Sequence, residues 1–257
     1  MSKRGDKTSM GGTKEDFQTT CWTDILDAKT LDRARRRDVI NDLIKRYWKP
    51  VYCYLRHRGY SNESAKDLTQ GFFHEVVFNR ELIQRADQTK GRFRTFLLTS
   101  LKNYTADVHD KETAGKRSPK AQVMSLKDGD MPDLLKTHSE LEPDQIFHYA
   151  WATEILNQVL AEVRDNCYGA QRGKHWQVFY EKVVTPILDN AEAPPLKELC
   201  AKYGIENEAK ASNMIFAVKS QFRSAMRSHL RPFVQSEADV EDEFRDILEI
   251  LSGSSPR

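Results

Sequence analysis

The constraint on this chain is strongest between Ser61 and Arg117, where apolar residues recur at helical spacing in two successive blocks. In the first, Ala65, Leu68, Phe72, Phe73, Val76 and Val77 form the stripe of a predicted helix. Ser61 stands where its hydroxyl can cap the first turn, and Glu63 where the helix dipole favours an anion. Asp67, Gln70 and Glu75 fall outside the stripe. Gly91 interrupts the pattern, and a second predicted helix carries Phe93, Phe96, Leu97, Leu101 and Tyr104 on its apolar side. Arg92, Arg94, Lys102, Lys111, Lys116 and Arg117 make that element basic. A basic helix studded with rings suits single-stranded nucleic acid, because cations meet phosphate and rings stack on unpaired bases. The plainer reading is two core-packing helices with a solvated basic face.

The same period runs through the rest of the chain, so the predicted fold is all-α. Residues 1–19 are polar and read as a loose terminus. A helix begins near Thr20 or Thr23, and another covers Leu31 to Arg58 with Val39, Leu43, Ile44, Tyr47, Trp48, Val51, Tyr52 and Leu55 as its stripe. Pro50 predicts a kink or break inside it. The first helical domain therefore spans residues 20–111. Between residues 112 and 142 the periodicity fades and turn formers appear, including Pro119, Gly129 and Pro132, which marks a flexible linker.

A second helical domain spans residues 143–235. Pro143 suits the first turn of a helix whose stripe is Ile146, Phe147, Ala150, Trp151, Ile155, Leu156, Val159 and Val163. A further helix covers His175 to Leu188, with Trp176, Phe179, Val183 and Ile187 inward. Then Leu196 to Tyr203, a turn at Gly204, and a longer helix from Asn207 to Leu230 have the layout of a helix-turn-helix, whose second helix can enter a major groove. Residues 236–257 form an acidic tail in which Val240, Phe244, Ile247, Leu248 and Leu251 share one helical face. An acidic amphipathic helix of this kind is expected to pack back on its own basic chain, with a protein partner as the alternative.

The order of motifs is specific. Asp67-Leu-Thr-Gln70-Gly-Phe-Phe73, then Gly91-Arg-Phe-Arg94-Thr-Phe-Leu-Leu98, then Asn103 and Asp107, closely resembles region two of bacterial sigma factors of the extracytoplasmic-function type. Tyr47-Trp48-x-Pro50-Val-Tyr52 and the turn from Arg56 to Tyr60 resemble the same subgroup. The layout from Leu196 to Leu230 resembles region four, with Ser212, Asn213, Phe216 and Ala217 where the family carries a more basic set. The resemblance implies that Asp67, Gln70 and Phe73 bind the polymerase clamp helices. It implies that Arg92, Arg94, Lys102, Asn103, Asp107, Lys116 and Arg117 engage the opened downstream promoter element. Lys210, Ser212, Asn213, Lys219, Arg223 and Arg227 would meet upstream promoter duplex. The partners so implied are the core RNA polymerase, through the clamp helices of its largest subunit and the flap of the second, promoter DNA, and an anti-sigma or other regulatory protein. The expected activity is transcription initiation by binding and strand capture.

Composition is compatible with that reading. At 257 residues, with 39% hydrophobic and 30% charged, the chain can bury a core in one or two domains. Its formal charge is only +2, so affinity for nucleic acid has to come from where the charges lie. No apolar run reaches membrane-spanning length and no signal-peptide core is seen, which predicts a cytoplasmic protein with no membrane partner. Cys21, Cys53, Cys167 and Cys200 are too scattered for a zinc site or disulfide frame and read as reduced thiols. No catalytic or metal-ligating pattern occurs: the 7 histidines are dispersed, and Gly169 to His175 lacks the spacing and hydroxyl of a phosphate loop. The chain is therefore expected to be no enzyme and to need no cofactor or metal. Two other readings are a DNA-binding regulator that does not engage polymerase, and a sigma-fold interaction protein with reduced promoter binding.

Overall fold

A computed structural model describes residues 33–79, 92–114, 140–188, 191–231 and 237–252. Its described residues are helical, with no strand among them. In order they form α1 (Arg33–His57), α2 (Asn62–Phe72) continued by a π-helical turn (Phe73–Asn79), α3 (Phe93–Ala114) and α4 (Pro143–Gly169). Next come α5 (Gly173–Phe179), a second π-helical turn (Tyr180–Val184), α6 (Thr185–Leu188), α7 (Leu196–Tyr203), α8 (Glu208–Leu230) and α9 (Glu237–Leu251). No described helix is long and apolar enough to cross a membrane. The helix expected near Thr20, and the linker apart from its ends, lie outside the described residues.

Local chemistry sets the helix ends. The Ser64 amide donates to Ser61 Oγ at 3.1 Å, capping α2 as its sequence predicts. Pro143 occupies the first turn of α4, and the Glu142 amide donates back to Gln145 Oε1 at 2.8 Å, half of a reciprocal capping box. Gly204 ends α7 in the left-handed region at φ 61°, where a side chain would be strained, and lets the Ile205 amide reach the Cys200 carbonyl at 2.9 Å. Asn207 Oδ1 then accepts from the Lys210 amide at 2.8 Å and starts α8.

Pro50 does not break α1, which runs unbroken from Arg33 to His57. Proline removes one amide and crowds the carbonyl four residues back, here that of Arg46. Tyr47, three residues before it, and Val51, which follows it, are fully buried, and α1 makes the most extensive pairing among the described helices, with α4. Packing carries the helix across the missing hydrogen bond.

The helix at the centre is α4. It packs against α1, α8, α5, α9 and the edge of α3. Ile146, Phe147, Ala150, Trp151, Ile155, Val159 and Val163 are buried as their spacing predicts, and so are Ala152, Leu160 and Cys167 on its other sides. Residues 143–156 have no exposed position, as a core helix would, while Asn157, Glu162, Arg164, Asp165 and Asn166 give the C-terminal half a solvent face. One apolar cluster consequently runs from Ile40 in α1, through Trp151 in α4, to Met226 in α8 and Ile247 in α9. The thiols of Cys53, Cys167 and Cys200 are buried and unpaired with one another. Burial pushes Cys53 up to about 12, which keeps it protonated at neutral pH.

The π-helical turns shift faces that a uniform 3.6-residue period would set. Within Tyr180–Val184 the buried residue is Val184, and past it Ile187, expected inward, is 64% exposed. In α9, which has no π-helical turn, one expected inward position also differs: Leu248 is exposed, while Ile250 is buried with Val240 and Ile247.

Gly71 shows how closely α2 approaches α3. A β-carbon there would overlap the hydroxyl of buried Tyr104. Gly71→Ala should therefore destabilise by about 1–2 kcal/mol, the overpacking cost exceeding the roughly 1 kcal/mol that alanine gains in helix propensity. Adding Tyr104→Phe removes the obstructing oxygen, so the double variant should melt above Gly71→Ala alone. Additive losses in thermal melts would refute the steric account.

Candidate nucleic-acid interface

The residues that sequence singled out and the structure describes lie on exposed faces of α2, α3 and α8 and in one buried charge cluster. The first surface is on α2. Asp67 and Gln70 are exposed on it, with Glu63, Ser64 and Glu75 also outward. Phe73 is not: it is 3% exposed and stacks on Trp48 with ring centroids 6.1 Å apart. It shapes the helix from beneath, so of the three residues assigned to the polymerase a partner on this face would meet Asp67 and Gln70 but not Phe73. Thr69 is also buried, its hydroxyl donating to the Ala65 carbonyl at 2.6 Å.

On α3 the aromatic side chains turn inward. Phe93 and Tyr104 are buried, Phe96 is half-buried against the core, and Tyr47 meets Phe93 edge-on at 5.8 Å. The predicted platform of rings for unpaired bases is thus absent from this conformation, because the aromatics are needed to pack α3 on α1 and α2. Lys102, Asn103 and Asp107 remain exposed. Lys102 Nζ lies 2.5 Å from Asp144 Oδ2 at the start of α4. Lys116 and Arg117 lie outside the described residues.

The charge cluster forms where α3 begins. Arg94 is 5% exposed, with its guanidinium 4.4 Å above the ring of Trp151. Its Nη1 pairs with Glu243 and its Nη2 lies 2.9 Å from Asp246 Oδ2, both carboxylates coming from α9. Arg92 is more exposed; it pairs with Asp246 through Nη1 and reaches Glu243 Oε2 at 3.2 Å through Nε. Burial first, then the adjacent Arg92, lower Arg94 to about 9, so it stays cationic at neutral pH and needs both counter-charges. His148, facing the same arginines and Asp144, is pushed down to about 4 chiefly by burial and is neutral there. Glu243 is only 3% exposed.

Sequence reasoning found the arginines but not Glu243 as their partner. A signal was present: Glu243 falls between Val240 and Ile247 at helical spacing, on the apolar face of α9. A carboxylate at such a position calls for a buried cation opposite.

The remaining exposed surface is the outer face of α8. Ala211, Ile215, Val218, Ala225, Met226 and Leu230 turn inward, and Phe222 packs on Phe179 with centroids 6.2 Å apart. Outward, Phe216, Lys219, Ser220, Arg223, Arg227 and Arg231 line one shallow groove with Ser224 and Ser228. Phe216 is 73% exposed, an unusual place for a phenyl ring. Ser212, Asn213 and Lys210 are exposed nearer the N-terminus of the helix. Lys210 pairs with Glu206 at 3.4 Å, and Arg227 holds Glu241 of α9 at 2.5 Å. The serines at positions 220, 224 and 228 were not singled out from sequence, although their four-residue spacing beside the basic residues places them on one face.

These residues offer cations, hydroxyls and one ring to an extended anion, and no group of His, Cys, Asp and Glu among the described residues is arranged to hold a metal. Compared with known proteins, the chain matches no family model, no curated protein and no solved structure.

Proposed function

We propose that the protein is a sigma-type transcription initiation factor that joins core RNA polymerase to promoter DNA. The observation that carries this reading is the outer face of α8, where Lys219 and Arg223 stand exposed in one groove with Phe216 and Ser220. A short helix and a glycine-ended turn precede that face, the layout suited to laying a second helix in a major groove. Lys219, Arg223 and Arg227 neutralise phosphates, and Ser212 and Asn213 meet base edges. Asp67 and Gln70, on α2, supply a polymerase contact at a distinct surface. The domains act by binding, with no covalent chemistry.

Asp67→Arg with Gln70→Ala tests the polymerase half of the reading. Both residues lie off the buried stripe, so circular dichroism should show an unchanged helix content. Capture on immobilised core polymerase should fall about tenfold or more, since reversing one charge at a contact commonly costs several kcal/mol. Full capture by the folded double variant would remove the polymerase assignment. The surviving reading would be a DNA-binding regulator that does not engage polymerase, a reading favoured by the inward packing of Phe73 and of the α3 rings.

A further inference from the structure

We infer that α9 is a displaceable occupant of an anion site formed by Arg92 and Arg94 at the start of α3, and that a nucleic-acid backbone and α9 compete for it. This rests on the proposed function, and it names how that function is held in check.

The positive potential of the site comes from Arg92 and Arg94, which flank the start of α3; the Thr95 and Phe96 amides are already satisfied by the Arg92 carbonyl, at 3.1 and 3.2 Å. Cations at a helix N-terminus oppose its dipole, so two arginines there are stable only beside an anion. Glu243 and Asp246 supply it, gripping both guanidinium groups at once. Two carboxylates spaced along one helix face present oxygens as successive phosphates would, and arginine forks fit either geometry.

The same helix also reaches the other basic surface. Glu241 takes both Nε and Nη2 of Arg227, at 2.6 and 2.5 Å. One acidic helix therefore covers cations at the start of α3 and on α8; the proposed function assigns α8 to DNA, and the family resemblance assigns Arg92 and Arg94 to it as well. Its apolar hold comes from Val240, Ile247 and Ile250, which are buried, and from Phe244 and Leu251, which are half-buried against the same cluster; Leu248 is exposed. Its ion pairs, unlike that apolar contact, are interactions a polyanion can replace.

The test uses the full chain and a fluorescein-labelled single-stranded oligonucleotide, with anisotropy followed across a salt series. Glu243→Gln with Asp246→Asn should bind about tenfold tighter than the parent at low salt. Its salt slope should steepen by about 1.4, the value for two further phosphates neutralised on a single strand. If this variant does not fold, Glu241→Gln with Asp246→Asn, both at more exposed positions, should show a smaller tightening in the same direction. Independently, saturating oligonucleotide should speed amide exchange across residues 240–250 of the parent protein and leave α4 protected. Binding of equal strength by parent and folded variants overturns the inference and leaves the proposed function standing, as does unchanged exchange in α9 at saturation. No binding of the oligonucleotide by any variant overturns the inference, and capture on core polymerase tests the proposed function separately.

Discussion

Replacing Trp151 with alanine is expected to destabilise the protein by about 3–5 kcal/mol, the usual range for deleting a large buried aromatic. Trp151 is 2% exposed at the middle of α4, with the Arg94 guanidinium on its ring and the cluster from α1 to α9 around it. At this chain length the loss should lower the melting temperature by roughly 6–20 °C. Trp151→Phe keeps most of the apolar contact and should cost only a fraction of that. Because the described helices share one apolar cluster, the parent protein should melt in a single calorimetric transition, and the variant should shift the whole of it. Two separated transitions, with only one moved by Trp151→Ala, would show that the helices before and after residues 115–139 form independent cores. Should one transition hold, engaging partners with α2 and α8 at widely separated points would require breaking the α1–α4 pairing first.

What could be read in advance follows from how far each signal reaches. Caps and breakers act over three or four residues, so Ser61, Pro143, Gly204 and Asn207 mark their helix ends correctly from sequence. Apolar spacing says which side of a helix is buried, and α3 and α8 follow it closely; in α1 it finds Leu43, Tyr47, Val51 and Leu55 but not Ile40, Cys53 and Tyr54, which are buried outside the stripe. It does not say against what. Nothing in the stripe of α4 distinguishes a helix packed within residues 143–235 from one packed along α1, and α1 is its largest neighbour. Insertions of one residue per turn are likewise silent, since Tyr180–Val184 has no proline or glycine to announce a π-helical turn. The charges at the candidate sites were legible as residue types and not as directions. Arg92 and Arg94 are two positions apart, yet Arg94 lies over Trp151 in the core while Arg92 stays half in solvent. Only the carboxylates of α9, more than a hundred positions away, make that inward turn affordable in charge.

On α8, exposed residues that look alike should fail in different ways. Lys219 and Arg223 have no ion-pair partner among the described residues, whereas Arg227 is already held by Glu241 of α9. Arg223→Ala should weaken binding to every duplex and flatten the salt slope by about 0.9, one phosphate contact's worth. Arg227→Ala should cost less, because its charge must first leave Glu241; combined with Glu241→Gln the two should depart from additivity, as coupled neighbours do. Asn213→Ala belongs to another class. Its amide lies exposed near the N-terminal half of the helix, where recognition helices meet base edges, and a bidentate pair with adenine discriminates by about 1–3 kcal/mol. Its loss should relax preference at one base position by roughly five- to a hundredfold and leave the salt slope unchanged. Selection from a randomised duplex pool by the full chain, followed by anisotropy across a salt series, reads both effects. A pool from which the parent selects no sequence, with Asn213→Ala indistinguishable from it, would mean that α8 neutralises phosphate without reading bases. Its groove would then serve to hold DNA in register while the choice of promoter is made elsewhere on the chain.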